Sequence, residues 1–164
     1  MRKLVLVAHN LRSTHNVGSL LRTADGFAAE VWLSGYTPFP LMPDDPRLPH
    51  LAAKIDKRIA KTALGAEKSV TWKHFPEITD AIDELKRQGF SVVALEQASG
   101  ATKLPDFRPP DKSAIIVGRE VEGIEVEVLA FCDSIVEIPM LGSKESFNVS
   151  VAAAIALYAS RFAS

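Results

Sequence analysis

Short apolar runs alternate with amphipathic stretches along the whole of this chain. Residues 3–8 are apolar without alternation from Leu4 onward, which predicts a strand covered on both faces. Residues 16–27 repeat at helical spacing, with Asn16 in the N-cap position. Residues 31–36 predict a second strand. Residues 37–49 form a loop carrying Pro38, Pro40, Pro43, Pro46 and Pro49, and so long a connection is usually functional or mobile. A basic, mostly helical piece follows, up to Ala63. Residues 69–74 predict a short strand, and residues 79–88 a helix stopped by Gly89. Then come a strand over 90–96, a loop through Pro109 and Pro110, an all-apolar strand over 114–118 and a short helix over 126–131. A last strand over 134–139 precedes a final helix over 149–162. Strands alternating with helices predict an α/β fold: a mainly parallel sheet with helices on both faces, in one domain over residues 1–164. The final helix is apolar almost all the way round, so both its sides ask for cover. A second subunit is the simplest cover, and a homodimer through this helix is expected.

Composition narrows the picture. A chain of 164 residues can build one domain with a real core, and its 47% hydrophobic content excludes a disordered chain. Cys132 stands alone, which rules out an internal disulfide framework. With no signal-peptide pattern, it points to a reducing cytoplasm. No stretch is apolar for long enough to span a membrane. A net charge of −1 makes no global case for nucleic acid. The charge is unevenly spread, however. Arg47, Lys54, Lys57, Arg58 and Lys61 face only Asp56 in their stretch, and read either as an RNA surface or as a solvated helix face.

The common nucleotide fingerprints are missing: neither Gly-x-Gly-x-x-Gly nor Gly-x-x-x-x-Gly-Lys occurs. His9, His15, His50 and His74 are scattered and no metal is expected. No Gly-x-Ser-x-Gly elbow is present. Instead, three polar islands stand at the carboxyl ends of predicted strands, where open α/β sheets bind ligands. They run over residues 10–22, over Gly118-Arg119-Glu120-Val121-Glu122-Gly123, and over Ser146-Phe147-Asn148-Val149-Ser150 after Ile138-Pro139-Met140.

In order and spacing these three blocks resemble the SpoU (TrmH-type) RNA 2′-O-ribose methyltransferases of the SPOUT superfamily, in their minimal single-domain form. Arg119 and Val121 stand where that family usually has Asn and Gly, and Phe147 where it has Leu. The resemblance implies a C-terminal trefoil knot, bound S-adenosyl-L-methionine, a dimer, and an RNA substrate, with tRNA favoured over rRNA. It implies catalytic roles for Arg22, Asn16, Glu120, Ser146 and Asn148. It implies cofactor contacts from Ile138, Met140 and Phe147, with Gly118 admitting close backbone approach and Leu95 at the edge of the same pocket. Each residue also has a plainer reading. Arg22 can be a surface arginine, Asn16 and Asn148 helix caps, Glu120 a loop carboxylate, and the apolar residues core. Arg12 reads as a phosphate ligand or a free surface charge. A non-catalytic RNA- or cofactor-binding protein of the same fold is the rival from another class, and a dinucleotide oxidoreductase a third reading.

Overall fold

The computed structural model describes residues 1–163. Its central strand, β1 (Lys3–His9), is buried from Leu4 to His9, as a strand covered on both faces must be. After it follow α1 (Thr14–Gly26), β2 (Glu30–Ser34), α2 (Pro49–Ala63), α3 (Ala66–Ser69), β3 (Trp72–Phe75) and α4 (Ile78–Arg87). Next are β4 (Ser91–Leu95), β5 (Thr102–Lys103), a 3-10 turn (Leu104–Asp106), β6 (Lys112–Val117), α5 (Val126–Leu129), β7 (Ser134–Glu137) and α6 (Val149–Phe162). The strands form one sheet in the order β3-β2-β1-β6-β4-β7-β5, and all neighbours are parallel.

The pleat sorts the core into two layers. Leu4, Leu6 and Ala8 pack with α1, α2 and α6 through Val17, Leu20, Leu21, Ile59, Ala153 and Leu157. Val5, Val7 and Trp32 face the other way, onto Ile82 and Leu85 of α4 and Val128 of α5. Helices therefore cover both faces. At Gly18, α1 and α2 come so close that a Cβ would collide with the Ile59 carbonyl and the Thr62 side chain.

The chain leaves β1 toward β2 on one side and leaves β6 toward β7 on the other. A cleft lies at the carboxyl ends of β4, β6 and β7, next to this reversal.

Several local expectations are corrected. The cap of α1 is Ser13, whose Oγ accepts from the Asn16 N–H at 3.1 Å. Asn16 sits inside the first turn, its side chain free for other work. β2 stops at Ser34, so Tyr36 lies beyond it. The stretch read as a strand over 69–74 divides between the end of α3 and β3. Its Trp72 indole donates to the Glu67 carbonyl and pins α3 there. The final helix matches its expected span, but within one chain only one side is covered. Val151, Tyr158 and Phe162 remain open along a single stripe.

Candidate active site

The three connections that follow β4, β6 and β7 meet above those strands. The one after β6 is a tight turn. The Arg119 N–H donates to the Gly123 carbonyl at 3.2 Å, and the Gly123 N–H returns the bond to Arg119 at 3.1 Å. Gly123 holds φ at +70°, and the Glu96 carboxylate lies where its Cβ would be. That carboxylate accepts from the Ile124 N–H at 2.8 Å through one oxygen and from the Gln97 N–H at 2.9 Å through the other. Gly118 has its own constraint, since a Cβ there would lie 2.8 Å from the Gly123 carbonyl.

Beneath the turn runs an open cleft of about 140 Å³. Leu95, Val117, Ile138, Met140, Phe147 and Val149 supply its apolar wall, and Gly118, Glu120, Glu137 and Ser146 its polar rim. The five residues assigned to the cofactor (Leu95, Gly118, Ile138, Met140 and Phe147) are thus gathered in one place. A cleft with an apolar wall and a polar rim can take a ligand that has one apolar and one polar part.

Beside the cleft, three side chains from distant parts of the sequence meet. Asn16 Nδ2 donates to Glu120 Oε1 at 3.3 Å, and Asn148 Nδ2 donates to Asn16 Oδ1 at 3.5 Å. Asn148 serves twice, because its Oδ1 caps α6 by accepting from the Ser150 N–H at 2.9 Å. Ser146 lines the cleft from an exposed loop. Arg22 is exposed on α1, six residues beyond Asn16, or about 9 Å along the helix. Among the described residues it has no hydrogen bond or ion pair, so its donors face solvent. The structure joins Asn16, Glu120 and Asn148 directly, and does not join Arg22 to them.

The basic residues fall into two groups. Lys54, Lys57, Arg58 and Lys61 are all exposed on α2, and their spacing places them on neighbouring turns. Arg47 is a correction: it is a loop anchor, not a free charge. Its guanidinium donates to Asp45 at 2.8 Å, to the Phe39 carbonyl at 2.8 Å and to the Pro40 carbonyl at 3.0 Å, over the Phe39 ring. The same contacts hold the Asp45 carboxyl well below the usual carboxylate range. Arg12 is exposed, with its guanidinium 5.8 Å from the centre of the Tyr36 ring.

Sequence reasoning missed the groups that support the 118–125 loop. Glu96 is one; a carboxylate directly after an apolar strand at the ligand edge was the available signal. Glu125 is the other. Its Oε1 accepts from Asn10 Nδ2 at 3.0 Å, and its Oε2 lies 3.1 Å from Nε2 of the buried His9. His9 Nδ1 is 3.0 Å from the Ser34 hydroxyl. Burial pushes the His9 pKa down, against the pull of Glu125. Burial would raise the Glu125 carboxyl, but its own backbone N–H, Asn10, His9 and Arg119 together hold it low.

Residues 3–158 match the SpoU rRNA Methylase family. The chain belongs to that family. The chain is 30% identical, over 96% of its own length, to the 23S rRNA (guanosine-2'-O-)-methyltransferase RlmB of Neisseria meningitidis, and covers 58% of that protein. It thus spans little more than half of the curated relatives it matches. Among solved structures it resembles the SpoU methyltransferase AviRb from Streptomyces viridochromogenes in complex with AdoMet. There the TM-score is 0.81 at 22% identity, covering 98% of this chain and 57% of that one. A structure concerned with 2-OH methylation of C/U34 on tRNA aligns with TM-score 0.74 at 25% identity, covering 96% of this chain and 93% of that chain.

Proposed function

We propose that this SpoU-family chain is an S-adenosyl-L-methionine-dependent 2′-O-ribose methyltransferase acting on structured RNA, with tRNA the favoured substrate. The observation that carries the reading is the adjacency of the apolar cleft to the Asn16–Glu120–Asn148 cluster. The cleft fits the cofactor. Leu95, Ile138, Met140 and Phe147 would enclose its base, Gly118 would allow close backbone approach, and Ser146 and Glu120 would meet its polar end. When bound, S-adenosyl-L-methionine supplies an electrophilic methyl group on sulfur. AviRb, which has the same fold, binds this cofactor.

A ribose hydroxyl is a weak nucleophile, so the protein must orient it, remove its proton and keep water away. Asn16 fixes the Glu120 carboxylate, whose remaining lone pairs could accept the hydroxyl proton while the methyl would pass from sulfur to the ribose oxygen, the sulfur–carbon bond breaking to leave S-adenosylhomocysteine. A guanidinium gives up its own proton reluctantly. Arg22 therefore clamps the phosphate beside the target ribose and stabilises charge in the transition state.

The tRNA preference draws on the relative whose chain this one covers almost completely. The RlmB likeness keeps rRNA as the alternative. The exposed lysines and arginine of α2 provide an RNA surface, whose binding should weaken steeply with salt. A homodimer covers the open stripe of α6, where Tyr158 and Phe162 cluster with Phe27 at ring separations of 5.1–6.5 Å. Sedimentation of Tyr158→Glu tests that interface. Threading of the C-terminal segment into a trefoil knot belongs to the same reading. The Gln97 amide bonded to the Glu145 carbonyl supports a close approach of the two segments, and a crystallographic chain trace tests the threading.

The deciding experiment is incubation with methyl-labelled S-adenosyl-L-methionine and total RNA, then digestion and nucleoside mass spectrometry. Labelled 2′-O-methyl nucleoside in tRNA is expected, and is lost in Arg22→Ala while S-adenosylhomocysteine still stabilises the protein. Label in rRNA moves the substrate. Absence of both label and cofactor binding defeats the reading.

A further inference from the structure

We infer that Tyr36 and Arg12 form a subsite for an unpaired RNA nucleotide flanking the methylated one. The inference rests on the RNA methyltransferase reading above. Tyr36 is 51% exposed at the carboxyl edge of the sheet, just past β2. A single exposed tyrosine is ordinary. This one is set on a fixed backbone. Its N–H donates to Asn10 Oδ1 at 3.1 Å, and the neighbouring Gly35 N–H donates to the Phe75 carbonyl at 3.0 Å. The buried Thr37 hydroxyl accepts from the Leu11 N–H at 3.0 Å and donates to the Ser34 carbonyl at 2.8 Å. Asn10 is held in turn by Glu125. The loops after β1 and β2 are thereby tied together, and they present Arg12 and Tyr36 as a pair.

The Arg12 guanidinium lies 5.8 Å from the ring centre, at the outer edge of cation–π range. Among the described residues it has no hydrogen bond to a carboxylate or carbonyl. Arg47, Arg119 and Arg161 have all found acceptors. Glu125, the carboxylate of this corner, is already engaged by Asn10 and His9. An aromatic face and an uncommitted guanidinium on a rigid support match a nucleobase and its phosphate.

The position fits as well. Arg12 directly precedes the cap of α1, four residues before Asn16. The Thr62 hydroxyl donates to the His15 carbonyl at 2.8 Å, which brings the Arg58–Lys61 end of the basic α2 face beside the same turn. RNA lying along α2 and reaching Asn16 would pass this pair. Bases in a duplex are stacked on each other and cannot use a side-chain platform, so the subsite selects loops or single strands.

The test compares a fluorescein-labelled single-stranded oligouridylate with an RNA duplex of matching length, by anisotropy, using the full chain. Tyr36→Ala keeps the backbone N–H that ties the loops. It should weaken single-strand binding by about 5- to 150-fold, the effect of losing one stacked base, and leave duplex binding unchanged. Tyr36→Phe should bind as the native protein does, and Arg12→Ala should reduce the salt dependence by about one phosphate contact. Native single-strand affinity in Tyr36→Ala, or a loss in Tyr36→Phe equal to that in Tyr36→Ala, overturns the subsite. S-adenosylhomocysteine stabilisation is measured alongside in each protein. If native protein is stabilised and Tyr36→Ala binds RNA normally, only the subsite falls; if native protein shows neither cofactor nor RNA binding, the methyltransferase reading falls with it.

Discussion

The 118–125 loop and the 141–148 loop border the same cleft but are held in different ways. The first is supported from beneath by Glu96, anchored to Asn10 through its own Glu125, and closed on itself by the Arg119–Gly123 pair. The second is exposed from Leu141 to Asn148, and is tied by the Gln97 contact to Glu145 and the side chain of Asn148. The braced loop presents Gly118 against the Gly123 backbone and Glu120 to the Asn16 side chain. The open loop carries Ser146 and Phe147, which line the cleft from an exposed segment. Segments with few buried contacts are where ligand-coupled motion is drawn from.

Breaking the rigid loop should have the largest effect. Gly118→Val places a side chain against the Gly123 backbone. Stability should fall by roughly 1–3 kcal/mol, and S-adenosylhomocysteine should no longer raise the melting temperature. Retained cofactor binding would show that the turn adapts, and the contrast between the loops would fail. Glu96→Gln is milder. A carboxamide can accept at only one of its two positions, so either Ile124 or Gln97 loses its acceptor. A loss of about 1–2 kcal/mol in denaturant melts is expected, with a raised KM for the cofactor.

The third prediction concerns pH. The His9 pKa is depressed by burial from its usual 6.5, and His74 behaves likewise for the same reason. As pH falls through 6.5 the unfolded chain takes up these protons while the folded chain resists. Stability is therefore full above that value and declines below it, down to the folded-state values. Melting temperature should drop on acidification, and His9→Asn should flatten the drop; an unchanged slope would remove His9 from the support of the rigid loop. The smallest effect is expected in the open loop. Phe147→Ala should change stability by no more than about 0.5 kcal/mol while weakening cofactor binding a few-fold. A large loss of stability there would mean that the two loops are held alike.

Much of this was legible in the sequence. The succession of the longer strands and helices along the chain, the three polar blocks and the basic face of α2 followed from local patterning; β5 and the 3-10 turn, in a stretch read as a loop, and α3 did not. The cap of α1 did not, because Ser13 and Asn16 are both good caps and only the observed bond to the Asn16 N–H chooses between them. Arg47 was read as free because Asp45, Phe39 and Pro40 fold back onto it through a proline-rich loop with no periodicity. Glu96 went unnoticed because its partner, Ile124, lies 28 residues further on.

Sequence alone determined which of the longer segments become strands and helices and which carry polar clusters, since hydrophobic periodicity acts over a few residues. It also determined that α6 is too apolar to face water comfortably on any side. Tertiary structure decided the strand order, and with it the meeting of Asn16 with Glu120 and Asn148 across separations of 104 and 132 residues. It left one stripe of α6 open, locked Arg47 and freed Asn16 from capping. The physical reason is the same in each case. These outcomes depend on which backbones the parallel sheet brings side by side, and that follows from burying both faces of β1 at once.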